Sequence, residues 1–577
     1  MHELRRLIPY LSRHRAALAW GHLCLLMTVG LSLVSPWILR HAVDDLTSEL
    51  TRRKLYVYAL MLLTVVAVEG VFRFAMRRIL IGASREIEYE LRNDLFAHLT
   101  RMSARFYQSY RVGDLMNRAT SDLSAVRMVL GPGIMYSANT LATFCGAVAL
   151  MVTISARLLF VALIPLAAVA VVVRRLGRVI HDRSEETQAQ LSELSALVQE
   201  NLTGARVVRA FVQEAHEERR FERENAEYLR RNRRLILLLG GLHPSVQILM
   251  GLGAVAVLWI GGRLVVAGDM TLGQFVAFGS YLMMLVWPTI AVGWVVNIVE
   301  RGAASMGRIG KILDAPADIR DDEVDEAPTV RGEIEFRNLS FSYNGHPVLS
   351  NIDLHVKAGM TVAIVGPTGS GKSTLVGLIP RLFDAPEGTL FVDGHDVRRI
   401  PLATLRGAIG LVPQETFLFS DTVGANVGFA LPHDSRDSIT WAAAIAQLER
   451  DVRDFPERYE TLVGERGITL SGGQKQRAAL ARALAPDPRI LILDDALSSV
   501  DTHTEEEILA GLREVMRART TLIVSHRVST VRDADLIVVL REGRIVERGT
   551  HDELVAAGGF YAELYRRQRL EQEMEDA

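Results

Sequence analysis

Residues Thr361 to Thr374 read T-V-A-I-V-G-P-T-G-S-G-K-S-T. The first five are β-branched or small and apolar, which predicts a strand of a parallel sheet buried on both faces. Gly366-x-x-x-x-Gly371-Lys372-Ser373 follows, the spacing of a phosphate-binding loop. Gly366, Gly369 and Gly371 let the backbone turn sharply and come close to a ligand. The N–H groups of Pro367-Thr368-Gly369-Ser370-Gly371, proline excepted, then face one concavity, to which the next helix adds its positive end. Such a nest holds polyphosphate. Lys372 reaches outer phosphates, and the Ser373 hydroxyl, followed by Thr374, suits magnesium.

The 577 residues suffice for several domains. A net charge of −2 gives no global field for nucleic acid. The only cysteines, Cys24 and Cys145, lie in apolar runs and read as small core residues, not as a disulfide or metal site. Six apolar runs of membrane-spanning length all precede residue 300: Ala16–Leu39, Leu55–Phe74, Ile134–Ile154, Leu158–Val173, Leu235–Ile260 and Phe275–Val299. The first is too long for a signal peptide and lacks a small-residue cleavage site, so it reads as a span.

Arginine sets the orientation. The tail before Ala16 carries four basic residues, and the segments Arg77–Arg127 and Arg174–Arg234 carry nine and thirteen. The remaining connections carry far fewer, which puts both termini in the cytoplasm. The two basic segments are rich in helix formers, so they extend the membrane helices tens of ångströms outward. Each is interrupted once, at Phe106–Gly113 and at Asn201–Arg206, as at the reversal of a helical hairpin. These tips are either docking elements or plain turns. Glu69, inside the second run, is either a functional acid or the partner of Arg73 one turn on. His243, Gln247, Trp294 and Asn297 either line a cavity or bond neighbouring helices. Asp314–Gly332 is acidic and flanked by prolines, as a solvated linker is.

From Glu333 the pattern becomes strands and turns. Tyr343, ahead of the phosphate loop, either stacks on a base or simply packs. The strand Ile409–Val412 leads to Gln414, able to reach a metal-bound water. Ser471-Gly472-Gly473-Gln474 opens a helix and makes a second anion site. One domain needs one phosphate clamp, so this second site serves a nucleotide held by another copy of the fold. Ile490–Asp494 ends in the carboxylate expected on the magnesium side. Asp501 follows in Ser498-Ser499-Val500-Asp501. His526 ends the strand after Thr521, at the sheet edge where ligands bind.

In this order the motifs resemble the nucleotide-binding domain of ABC transporters. Gly366–Thr374 is similar to Walker A, Leu470–Gln474 to the signature motif and Ile490–Asp494 to Walker B. Gln414 matches the Q-loop, Ser498–Asp501 the D-loop, His526 the switch histidine and Tyr343 the A-loop aromatic. Thr461–Gly467 resembles the X-loop of exporters, and the two tips the coupling helices. The resemblance implies an exporter-type membrane domain of six transmembrane helices (1–313), a linker (314–332) and an α/β phosphate-loop ATPase with a helical tail (333–577). It implies ATP and Mg2+ as cofactors, with Ser373, Gln414 and Asp494 around the metal and Lys372, Gln414 and His526 at the reacting phosphate. It further implies multi-pass insertion in the cell membrane with a cytoplasmic ATPase. The activity it implies is ATP-driven export of hydrophobic or amphipathic cargo (a drug, a lipid or a peptide) with no role for nucleic acid. A lipid flippase and an ATP-gated channel are the competing expectations.

One residue departs from the family pattern. Asp495 stands where a glutamate normally follows the Walker B aspartate. Its carboxylate falls back by about 1.5 Å, and a misplacement of that size can cost on the order of a hundredfold in rate. This resembles the impaired member of a heterodimeric exporter. The expected partner is therefore a second half-transporter, a different chain with the glutamate intact; a homodimer using Asp495 as a weak base is the alternative.

Overall fold

A computed structural model describes residues 2–48, 51–321, 324, 329–433, 435–464 and 470–575. The chain divides by its contacts into two units, residues 1–100 with 111–315 and residues 101–110 with 316–577.

The first unit is helical. Five continuous helical stretches among the described residues are long and apolar enough to cross a membrane: Arg15–Thr47, Arg52–Leu99, Val112–Thr203, Glu214–Val266 and Leu272–Leu313. The third of these holds two of the six apolar runs. Within its helix Ile134–Thr203, Ser155 is extended at φ −161° and ψ 107°. The Ser155 hydroxyl accepts the Leu158 N–H at 3.3 Å, a cap that restarts the helix between the two runs. At 1.5 Å per residue the 48-residue helix Arg52–Leu99 is about 72 Å long, far beyond one bilayer.

The apolar residues of this unit point both ways. Ala147, Met151, Leu158, Ala162, Val257, Phe278 and Tyr281 form a buried cluster. Leu60, Leu63, Phe160, Trp259 and Val266 stay exposed, as lipid-facing residues are. Cys24 is buried, but Cys145, expected in a core, is exposed on its helix. Beyond the apolar runs, ion pairs fasten the helices. Buried Glu88 meets Arg85, Arg92 and Arg127, and Arg308 Nε donates to buried Asp122 at 2.9 Å.

Among its described residues the second unit contains two sheets. The smaller is antiparallel, in the order β2 (His346–Val356), β1 (Ile334–Tyr343), β4 (Leu390–Val392), β5 (His395–Asp396). The larger runs β10 (Arg544–Gly549), β9 (Leu536–Arg541), β3 (Thr361–Val365), β8 (Thr520–Val524), β7 (Ile490–Asp494), β6 (Ile409–Val412). All its neighbours are parallel except β10 and β9. Every residue of β3 is buried, as its composition predicts. Ala363 and Val365 face one apolar cluster, and Val362 and Ile364 the other, so both faces of the sheet are covered. Because β3, β6, β7 and β8 run parallel, the residues following them gather at one edge. The unit also takes in residues 101–110, which include the first part of the first hairpin tip. There Arg105 Nη2 donates to Asn344 Oδ1 at 3.0 Å, in the turn directly after Tyr343. The linker residues 322, 323 and 325–328 lie outside the described residues.

Candidate functional site

At the carboxyl edge of the larger sheet the phosphate loop folds as its glycines require. Gly366 has φ +157°, and a Cβ there would sit 2.0 Å from the Leu540 carbonyl oxygen. Gly371 has φ +99° immediately before the helix Lys372–Leu378, and a Cβ would meet Leu349 at 2.8 Å. No side chain could occupy either place without moving backbone or core.

A cavity of about 230 Å³ opens beside the loop. Its lining includes Thr368, Gly369, Gly371, Lys372, Ser373, Thr374, Gln414, Asp494, Asp495 and His526. Val348, from β2, also lines it and carried no signal in the sequence beyond its place in an alternating strand. The Lys372 ammonium donates to the carbonyls of Gly366 and Pro367, both at 2.9 Å, so the loop carries its own cation. Burial lowers its pKa against the pull of Asp494 and Asp495. Ser370 is buried within the loop. Tyr343 stands at the rim, its hydroxyl 3.4 Å from Thr374 Oγ1 and its ring against Phe341 and Phe383. Both readings of Tyr343 thus have a physical basis, since the ring packs while one edge faces the loop.

Ser373 Oγ donates to Asp494 Oδ1 at 3.1 Å. Burial raises the Asp494 pKa, and neighbouring Asp495 raises it further against Ser373, Lys372 and His526. Burial, and then Lys372, lowers that of His526, which favours a neutral imidazole. Asp495 adopts φ +50°, a left-handed position that aspartate tolerates better than most residues. This set fits a magnesium polyphosphate: a buried lysine, a hydroxyl, an amide and two carboxylates, all hard oxygen or cationic groups around an open Gly369.

Ser471, Gly472, Gly473, Gln474 and Asp501 do not line this cavity. Ser471 caps the helix Gly472–Leu484 reciprocally with Gln474. That cap occupies the Ser471 hydroxyl and the Gln474 N–H and leaves the N–H groups of Gly472 and Gly473 at an accessible helix start. Asp501 caps the helix Thr502–Met516 through Thr504 N at 2.9 Å. Buried Gln476 was not singled out in the sequence. Its amide donates to Ser498 Oγ at 2.9 Å and accepts from Ser499 N at 2.8 Å, joining the signature helix to the Ser498–Asp501 segment. In the segment resembling an X-loop, Glu465, Arg466 and Gly467 lie outside the described residues.

Membrane-length helices joined to a phosphate-loop ATPase define an ATP-driven membrane transporter. Residues 18–289 match the family model of the ABC transporter transmembrane region, and residues 349–498 that of the ABC transporter. The chain is 37% identical to the multidrug resistance-like ATP-binding protein MdlA of Escherichia coli (strain K12), over 96% of this chain and 95% of that one. It is 35% identical to the ATP-dependent lipid A-core flippase of Syntrophus aciditrophicus (strain SB), over 98% and 95%. A solved bacterial Atm1-family ABC exporter with ATP bound superposes with a TM-score of 0.79 at 29% identity, covering 96% of this chain and 98% of that one. The chain therefore belongs to the ABC transporter family, as an exporter half-transporter that uses ATP and Mg2+.

Proposed function

We propose that this chain is one half of a two-chain exporter of amphipathic compounds, in which each nucleotide is held between two chains. One observation carries the reading: the signature helix start, with its accessible N–H groups, lies outside the cavity that holds Lys372 and Asp494. The second hairpin tip adds support. Leu202 within it, and Val207, Phe211 and Val212 in the six residues after Arg206, are 60% to 79% exposed, a surface that a docking partner would cover. In this reading residues 1–313 form the membrane domain, 314–332 the linker and 333–577 the ATPase, with the ATPase and both termini cytoplasmic.

Within the site, Lys372 and the loop N–H groups bind the outer phosphates. Ser373, Asp494 and Gln414 hold the metal. Magnesium, when bound, neutralises charge on the phosphates being separated. Neutral His526 offers one donor to the terminal phosphate, and Asp495 orients the attacking water. Its short side chain makes this chain's own site slow, so the partner of our reading is a different half-transporter with a glutamate at that position. Purification of the chain alone tests this. Robust turnover by a homodimer, abolished by Asp495→Asn, would refute the heterodimer.

Cargo selection is read from the first unit. A cavity of about 360 Å³ is lined by Met76, Met135, Tyr136, Met284 and Trp287, with Glu69, Arg73 and Arg77 among its polar residues. Glu69 is buried and paired with Arg73. Both sequence alternatives for Glu69 thus meet in one place, an ion pair on a cavity wall. His243 and Gln247 bond each other at 3.1 Å, and Trp294 packs on Tyr136. His243, Gln247, Trp294 and Asn297 are not in that lining. Apolar walls with a polar charged side favour amphipathic cargo. A flippase reading gains from Arg77 in that lining, whose guanidinium suits an anionic lipid head group.

A further inference from the structure

One side chain from the far end of the sequence bonds the backbone on both sides of Arg527, beginning at His526. Gln568, on the helix Phe560–Glu575, donates through Nε2 to the His526 carbonyl at 2.6 Å. Its Oε1 accepts the Val528 N–H at 2.8 Å. An amide has one donor end and one acceptor end. Here both ends are used, on residues 526 and 528, so the side chain spans Arg527 and fixes the loop on either side of it.

The helix that carries Gln568 is itself anchored. Tyr561 and Ala562 are fully buried. The Glu547 carboxylate accepts the N–H groups of Phe560 at 2.6 Å and Tyr561 at 3.2 Å, which caps the helix start. His551 Nδ1 meets the Tyr561 hydroxyl at 2.7 Å. Arg527, between the two held backbone groups, turns the other way and pairs with buried Glu505. The loop is thus tied to the tail helix through its backbone and to the Thr502–Met516 helix through Arg527. His526 itself reaches the cavity beside Lys372 and Asp495.

We infer that Gln568 is a positioning residue for His526, so that the C-terminal helix sets the rate of ATP hydrolysis at this chain's own site. This rests on the reading of His526 as the residue facing the terminal phosphate. Displacement of a reacting group by about 1 Å can cost on the order of a hundredfold in rate. Loss of one clip leaves Arg527 in place, so on the order of tenfold is expected. The phosphate loop is untouched, so nucleotide affinity stays unchanged.

The test uses the full-length chain in nanodiscs, as wild type and as Q568A, Q568E, H526A and Q568A/H526A. Q568E keeps the size and the acceptor for Val528 but loses the donor to the His526 carbonyl. Single-turnover hydrolysis of labelled MgATP gives the chemical step even at a slow site, and a fluorescent nucleotide gives affinity. Positioning predicts that Q568A and Q568E slow hydrolysis about tenfold at unchanged affinity and Tm, with no additional loss in the H526A background. Wild-type rates in both Gln568 variants, with H526A slow, would overturn the inference alone. Wild-type hydrolysis by H526A would remove its premise as well. A loss that persists undiminished on top of H526A would assign Gln568 to something other than His526. A second readout needs no turnover. The 13Cε1 signal of His526, identified by its absence in H526Q, shifts or broadens in Q568A and Q568E; an unmoved signal in both would overturn the inference.

Discussion

Ser373 and Asp494, 121 positions apart in sequence, meet at 3.1 Å across the helix start of the phosphate loop and the end of β7. In the reading proposed above, the hydroxyl and the carboxylate, together with Gln414, would hold a magnesium ion. Asp494→Asn removes a charge that burial disfavours and a ligand that the metal needs. Its raised pKa means that ionisation opposes folding as pH rises through that value. The expected result at pH 7 is a nucleotide-free protein with unchanged or higher Tm and MgATP affinity lowered on the order of tenfold. Thermal melts beside fluorescent-nucleotide titrations, with and without Mg2+, check both signs.

Asp495→Glu restores the missing methylene. The account expects turnover of the purified chain to rise by about ten- to a hundredfold, with nucleotide affinity unchanged. Asp495→Asn removes the remaining activity. ATPase rates of the three proteins at saturating MgATP provide the measurement.

The His526 imidazole titrates below its ordinary value of 6.5, because burial and Lys372 oppose its charge. The unfolded chain then takes up the proton first, so this group costs stability as pH falls from about 6.5 toward the folded value. A 13Cε1 titration of the signal missing in H526Q would show a midpoint below 6.5; a midpoint above it would contradict the desolvated site.

Phe211→Asp and Val212→Asp place charge on the exposed tip without opening a core. The account expects an unchanged Tm in the isolated chain. It also expects loss of cargo-stimulated ATPase in the assembled transporter. Stimulation equal to wild type would leave the tip as a plain turn.

Glu69→Gln frees Arg73 beside Arg77 in the membrane-unit cavity. Stimulation by anionic amphiphiles is expected to rise severalfold relative to cationic ones, and Arg77→Ala to reverse it. A panel of dyes of opposite charge, in one ATPase assay, decides the sign.

Much of this was legible in the sequence because local rules and global fold agree. A five-residue apolar strand followed by glycines at fixed spacing leaves the phosphate loop few alternatives, and Thr361–Thr374 folds as that pattern demands. Apolar runs gave the membrane helices, and Ser155 separates the third from the fourth. What stayed hidden depends on packing between distant segments. Gln476 and Gln568 are ordinary helix-forming residues in ordinary helical stretches. Only the fold brings their amides to Ser498, Ser499, His526 and Val528. Cys145 shows the converse: an apolar run states that a helix is buried in something, but not which side meets protein and which meets lipid.

In the proposed mechanism, nucleotide is occluded only between this chain and a companion ABC chain. Native mass spectrometry of the particle retaining vanadate-trapped nucleotide, taken from membranes of the source cell, decides this. The account predicts two half-transporter chains in that particle, one of them this 63.9 kDa protein. A single 63.9 kDa chain that retains the nucleotide by itself would contradict it.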